Sequence, residues 1–518
     1  MTTKINKRDF LKLASAAVAS GLAGSQGDAR AQMRGGGMGG GGGMGGGGGM
    51  GGGSVIDPPT GGPFMDPLQM QNLSSTPGLV EVNVEAREAP IAVNGVTASL
   101  LTYNGSFPAP TIRARKGDLL RVNFTNSLPM SGLNILGHHR EVTNLHTHGL
   151  HVSPMGNSDN VMITFMPGED FIYEYDLSMQ AGGTLNFYHP HAHGSVAEQY
   201  WAGMCGALVL EDETDVLAGF ETHLLILKDI ELSGGDPAPH GSMMDYMQGK
   251  EGNTIMVNGK VHPVLNIRPG QVQRWRILNA STARFYNLSL QNHSMYVVGT
   301  DGGLLDKPYK VSSMVLSPGE RLDVLVRATQ TSGTYKFLSL PYSRHGNMGS
   351  AQITLMTVSY KGSKAGDVLP ATVDPSAVRI PVPANTVTRS LNLSMGQGRG
   401  YINGISFSET STFEIHSELD NYEVWEITNA SGMDHPFHQH VNPAQILSIS
   451  GGNSGYASFY SAVPAWKDVV LVPKWGTARI LVPVKDYDGM TMFHCHILEH
   501  EDIGMMGMWH IMGGMGGM

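Results

Sequence analysis

Apolar positions in this chain come in short runs rather than long stripes. Leu119-Leu120-Arg121-Val122-Asn123-Phe124 and Arg321-Leu322-Asp323-Val324-Leu325-Val326 are examples. Such brief, β-prone runs suit half-buried strands. Gly, Pro and Asn separate them at short intervals, and no long helical periodicity intervenes. The pattern predicts an all-β chain of sandwiches or barrels. It also repeats. Asn104-Gly105 leads to Pro108, Gly117 and the run Arg121 to Asn126. Asn258-Gly259 leads to Pro263, Gly270 and Arg274 to Asn279. Asn403-Gly404 leads, less cleanly, to Val424 through Asn429. Copies about 150 residues apart imply three domains of like design. The expected spans are 76–215, 216–375 and 376–518.

Both ends depart from this pattern. Asn6-Lys7-Arg8-Asp9-Phe10-Leu11-Lys12 precedes an apolar run from Leu13 to Ala23, and Ala29-Arg30-Ala31 offers a small-x-small cleavage site. Residues 1–31 resemble a twin-arginine export signal, with Lys7 where the first arginine usually stands. Export to the periplasm or beyond is the expectation. Residues 32–75 form a Gly/Met-rich segment carrying Met33, Met38, Met44 and Met50. It has too little apolar surface to offset its ordering entropy and is expected to be disordered. Met512, Met515 and Met518 echo it at the other end. No other run is long and apolar enough to span a bilayer.

Composition narrows the picture further. A formal charge of -10 without any Lys/Arg cluster argues against a nucleic-acid partner. The length and a hydrophobic content of 41% allow several packed cores. Only Cys205 and Cys495 occur, so a metal-ligating Cys495 leaves no intrachain disulfide. Cys205, inside the apolar run Met204 to Leu210, reads as a core residue.

The chemistry concentrates at His494-Cys495-His496. On an extended strand, alternate side chains face opposite ways. His494 and His496 would then serve one centre and Cys495 another. His500 and Met505 follow closely. A thiolate, two imidazoles and a weak thioether make a blue-copper electron-transfer site. His146-Thr147-His148, His189-Pro190-His191 and His435-Pro436-Phe437-His438-Gln439-His440 supply ligands for a further cluster. These clusters lie in the first and third domains and none in the second, so those two domains are expected to meet.

This set resembles the four signature motifs of the multicopper oxidases, the family of laccases, ascorbate oxidase and bacterial cuprous oxidases. The resemblance covers nearly the whole chain after the leader. It implies three cupredoxin-like Greek-key β-sandwiches and copper of three kinds: one type 1, one type 2 and two type 3. By that likeness His435, Cys495 and His500 hold the type 1 copper, with Met505 axial. His146 and His438 would hold the type 2 copper. His148, His189 and His496 would hold one type 3 copper, and His191, His440 and His494 the other. His193 falls outside the ligand set. Asp159 and Glu501 resemble acidic residues that deliver protons to the cluster. Val441 stands where the family commonly has glycine. The implied reaction takes single electrons from a substrate and reduces O2 to water. A monomer is expected.

The segment His500-Glu501-Asp502-Ile503-Gly504-Met505 looks most like that of cuprous oxidases acting in copper tolerance. Met243, Met244, Met247 and Met433 are candidates for receiving Cu(I), because thioethers favour that soft ion. A long methionine-rich insertion in the third domain is not evident. Alternatives are a laccase-like oxidase of phenols and aromatic amines, and a periplasmic copper-sequestering protein.

Overall fold

The structure is a computed structural model and describes residues 55–345, 350–408 and 410–513. The expected export signal, Met33, Met38, Met44, Met50, Met515 and Met518 lie outside the described residues. Strands dominate; among the described residues the longest helix, Ser454–Ala462, has nine residues. Among the described residues no helix is long and apolar enough to cross a membrane.

The strands form three sandwiches. In the first, the sheet Val96–Tyr103, Leu79–Val93, Leu119–Ser127 and Asp170–Asp176 faces the sheet Ala109–Arg115, Gly206–Glu211, Leu185–His189 and His146–His148. Two six-stranded sheets make the second sandwich and two five-stranded sheets the third. Sheet membership changes between Glu211 and Glu221 and again between Tyr360 and Val387. The same frame opens each unit. Leu79–Val93 runs parallel to Leu119–Ser127, Glu221–Ile230 to Val272–Asn279, and Val387–Gly396 to Asn421–Asn429.

The repeated asparagines explain the frame. Asn104, Asn258 and Asn403 all have positive φ, at 55°, 51° and 50°, a conformation that asparagine tolerates better than most residues. Each turns its side chain back onto the opening strand. Oδ1 accepts from the backbone N–H of Glu85, Ile226 and Asn392 respectively, each at 2.7 Å. The amide donates to the carbonyls of Asn83, Leu224 and Ser390. Asn126, Asn279 and Asn429 end the next strand alike. Each donates to two carbonyls across the unit and accepts the N–H two residues on.

Residues 55–75 correct the expected disordered segment. Val55–Ile56 pairs with Gln352–Tyr360. Phe64 donates its N–H to Val264, and Met70 donates to Thr111. Backbone hydrogen bonds, with Asp66 accepting from the Leu224 N–H, hold the segment along the second and first sandwiches, while Val55, Met65, Leu68 and Leu73 stay exposed.

A buried ion network joins the second sandwich to the third. Lys467 Nζ, fully buried, lies 2.8 Å from Asp301 and 2.7 Å from Glu320. Burial works against its charge, but the two carboxylates outweigh burial and raise its pKa. Arg321 grips Asp468 with both guanidinium nitrogens, at 2.6 and 2.5 Å, and donates to the Leu185 carbonyl of the first sandwich. Removing one member leaves buried charges unmatched. Lys467→Met should therefore cost about 3–5 kcal/mol of unfolding free energy, read by urea denaturation of the full chain. A loss below about 1 kcal/mol would show that the network does not hold the sandwiches together.

Candidate metal centre

Two neighbouring strands of the third sandwich create the centre. His435–Gln439 pairs antiparallel with Gly489–Cys495, with His438 opposite His494 and Phe437 opposite Cys495. Alternation sends Phe437, Phe493 and Cys495 into the sandwich core. It sends His438 and His494 the other way, towards the first sandwich. There His146–His148 and Leu185–His189 lie side by side, with His146 opposite His189.

Inside the third sandwich, Cys495 Sγ lies 3.5 Å from His435 Nδ1 and 3.6 Å from His500 Nδ1. The two imidazole nitrogens are 3.2 Å apart. Met505 is fully buried. Its carbonyl accepts from the Cys495 N–H, and its own N–H donates to His500. Ile497 N–H points at the Cys495 sulfur, 3.4 Å away. Ser431 Oγ sits 2.8 Å from His435 Nε2 and fixes the ring. Burial holds His435 at about 3, with Arg344 adding to the effect, and pushes the Cys495 thiol well up. A bound cation reverses the thiol's preference by replacing its proton.

Across the interface eight imidazoles crowd together. Ligand nitrogens converge in three sets: His146, His148 and His438; His148, His189 and His496; His191, His440 and His494. His191 and His440 Nε2 come within 3.1 and 3.2 Å of His494 Nε2. Three other rings have one nitrogen tied instead. His148 Nε2 lies 3.0 Å from Asp468, His438 Nδ1 2.8 Å from the Asp468 carbonyl, and His189 Nδ1 2.8 Å from the Pro190 carbonyl. His146 Nε2, His148 Nδ1, His189 Nε2, His438 Nε2 and both nitrogens of His496 are buried without a hydrogen-bond partner. Burial depresses the pKa of His146, His148, His189, His438, His440 and His496 well below the ordinary value, which keeps those rings neutral. Neutral, unpartnered, converging imidazoles suit copper.

Asp159 and Glu501 border this cluster. Asp159 takes His146 Nδ1 at 2.8 Å and the Thr147 N–H at 2.9 Å, and burial pushes it up to about 7. Glu501 lies 3.1 Å from His494 Nδ1 and 3.5 Å from His191 Nδ1. Burial would raise its pKa, but His191 and His494 outweigh burial and hold it at about 2. His193 is half-buried against Phe407 and His138 and joins none of the converging sets. Cys205 is buried beside Tyr200.

The methionines divide. Met243, Met244 and Met247 lie on the helix Met243–Gln248, capped by Ser242. The Met247 carbonyl sits 3.3 Å from His500 Nε2, while Met243 and Met244 are exposed. Met433 is buried in the core, with its sulfur 3.4 Å from Arg344. Sequence reasoning missed Asp468, Arg321, Ser431 and His151. None sits in a motif, and each acts only through the fold. Val441 has φ of 68°, unusual for a β-branched residue. His151 Nδ1 lies 2.8 Å from its carbonyl, and His151 Nε2 lies 2.9 Å from Asp486. The ligand strand is held there without a glycine.

Three family models, each described as multicopper oxidase, match residues 85–215, 230–363 and 379–513. The chain is 28% identical over 427 residues to a multicopper oxidase of Staphylococcus aureus, spanning 80% of this chain and 84% of that one. It is 27% identical over 501 residues to a laccase of Bacillus subtilis, spanning 86% and 96%. Its fold is similar to that of a multicopper oxidase from Campylobacter jejuni described as a metallo-oxidase, with TM-score 0.75, 26% identity, and 89% and 98% of the two chains covered.

Cys495→Ser changes one buried atom. Unfolding free energy of the copper-free chain should stay within about 1 kcal/mol of the parent. The copper-loaded variant should lack the intense blue band of a thiolate–copper bond. A blue variant would exclude Cys495 as the ligand.

Proposed function

The chain belongs to the multicopper oxidases, and on that premise we propose that it oxidises Cu(I) and reduces O2 to water. Copper would supply the one-electron redox changes and the affinity for oxygen that no side chain has. His435, Cys495, His500 and Met505 would hold the type 1 ion. His146 and His438 would hold type 2. His148, His189 and His496, and His191, His440 and His494, would hold the type 3 pair.

The chain's own residues set the rest. Cys495 is bonded through the backbone to His494 and His496, so both centres share one short strand. Glu501, between His191 and His494, holds acceptor oxygens at the cluster's edge and would pass protons to it. Asp159 would do so from the His146 side. Asp468 keeps His148 and His438 turned inward.

The observation that carries the Cu(I) reading is the methionine helix. Its Met247 carbonyl meets the outer nitrogen of His500, and Met243 and Met244 stand exposed beside it. Soft thioethers at the outer edge of a type 1 site suit a cuprous donor. The metallo-oxidase description of the Campylobacter jejuni protein supports the same substrate class. A laccase-like oxidation of phenols is the second reading, favoured by the Bacillus subtilis relative. The proposed setting is outside the cytoplasm, from the leader in residues 1–31.

The loaded protein should contain about four coppers, by metal analysis. Oxygen uptake with Cu(I) and with a phenol, on one sample, ranks the donors. Met243, Met244 and Met247 replaced together by Leu should lower kcat/KM for Cu(I) roughly tenfold, through loss of soft ligands. Phenol oxidation should hold within about twofold. Parent-like Cu(I) kinetics in that variant would overturn the cuprous reading.

Met505→Leu should raise the potential of the type 1 site, because a thioether donates electron density to the oxidised ion. An unchanged potential on redox titration would show that Met505 is not axial.

A further inference from the structure

One face of the third sandwich carries methionine at nearly every position. Strands Gly489–Cys495 and Met506–Met512 pair so that Met490 faces His510, Met492 faces Met508 and His494 faces Met506. The opposite face of the same strands carries Phe493, Cys495, Trp509 and Ile511, which belong to the aromatic and aliphatic core. Met490, Met492, Met506, Met508 and Met512 all stand on the methionine face. Met492, Met506 and Met508 touch one another through a separate small cluster with Val161, and Met490 packs against it. This stripe begins beside a cluster ligand, since Met506 is the register partner of His494.

Its outer end is a second constellation. The neighbouring strand Phe413–Glu418 runs parallel to Met506–Met512, placing His416 beside His510 and Glu414 beside Met508. The two imidazoles stack at 4.7 Å. Glu414 Oε2 lies 3.4 Å from His416 Nε2 and 3.5 Å from His510 Nε2. One carboxylate oxygen therefore lies against two imidazole nitrogens near the surface, with His416 52% and His510 29% exposed. Met512 stands exposed at the same end. Imidazole suits copper, and thioether suits its cuprous state.

Exposure falls steadily along the line. His510 is 29% exposed, Met508 4%, Met492 3%, Met506 1% and His494 0%. Same-face positions on a strand are about 7 Å apart, so His510 and Met506 are separated by roughly 13 Å with Met508 between them. Directly opposed side chains are closer, at about 5 Å between Cβ atoms. Plain packing would be served as well by leucine. Methionine is placed where the strand leads to the cluster and is absent from the paired core face.

We propose that Glu414, His416 and His510 form a copper-capture site, and that Met490, Met508, Met492 and Met506 relay Cu(I) from it to His494. The ion stays cuprous throughout. Only metal–ligand bonds form and break, so the relay calls for no oxidant, reductant or proton. The proposal concerns filling of the histidine cluster and is independent of which donor the enzyme oxidises.

The test uses the full chain stripped of copper and supplied under argon with limiting buffered Cu(I). Two variants are compared with the parent: Met490→Leu with Met492→Leu and Met508→Leu, which conserve volume, and the surface pair His416→Ala with His510→Ala. After exposure to air, copper content and paramagnetic resonance follow the histidine cluster, and the blue band follows the Cys495 site. Both variants should fill the cluster roughly tenfold more slowly, as loss of supporting ligands does elsewhere, while reaching the parent's final content. The Cys495 site should fill at the parent rate. Equilibrium dialysis of the loaded parent against Cu(I) should also retain one more ion than the His416/His510 variant. Cluster filling at the parent rate in either variant would overturn the route. So would equal slowing at both sites, and equal retention in dialysis would overturn the capture site.

Discussion

Arg321 carries a permanent charge into the buried interior, and Asp468 is what makes that tolerable. The pair alone would offset its desolvation poorly. Here Asp468 also meets His148 Nε2, and its backbone carbonyl meets His438 Nδ1. Arg321 in turn reaches the Leu185 carbonyl on the strand that ends at His189. One ion pair thus connects all three sandwiches and fixes the tautomers of two rings. The Lys467, Asp301 and Glu320 group lies alongside, with the excess carboxylate served by hydrogen bonds from Tyr456 and Ser317 to Glu320. The middle sandwich supplies none of the clustered histidines, yet its Arg321 orders those of its neighbours. That is a physical reason for a ligand-free unit to persist between two ligand-bearing ones.

The sequence was legible where function rests on local periodicity. His494-Cys495-His496 announces two centres because strand alternation is a local rule. The Asn-Gly turns announced the repeat because positive φ restricts residue choice, and the structure gives each asparagine the same hydrogen bonds. What stayed hidden depends on tertiary placement. Asp468 follows Lys467 in an unremarkable loop, and only the fold brings it to His148, 320 residues earlier. His151 looks like a stray histidine until its contact with the Val441 carbonyl appears. Residues 55–75 look like a continuation of the neighbouring glycines, because what orders them is backbone hydrogen bonding to distant strands, which side-chain composition does not reveal.

The helix Met243–Gln248 and the sheet-face methionines show how one residue type serves two settings. On the helix, Met243 and Met244 stand in solvent. On the strands Gly489–Cys495 and Met506–Met512, Met492, Met506 and Met508 are buried with Val161. Thioether affinity is alike in both; access differs. Composition alone, with 31 methionines, does not separate these cases.

Val441 bears on how the ligand-bearing units are fastened. A left-handed conformation costs a residue with a side chain about 1–2 kcal/mol in an isolated segment. Here the Asn442 N–H donates to the His440 carbonyl at 2.8 Å and closes the turn. The Val441 carbonyl meets His151 of the first sandwich, itself held by Asp486 of the third. The loop that ends a ligand strand is therefore also a clasp between the first and third sandwiches.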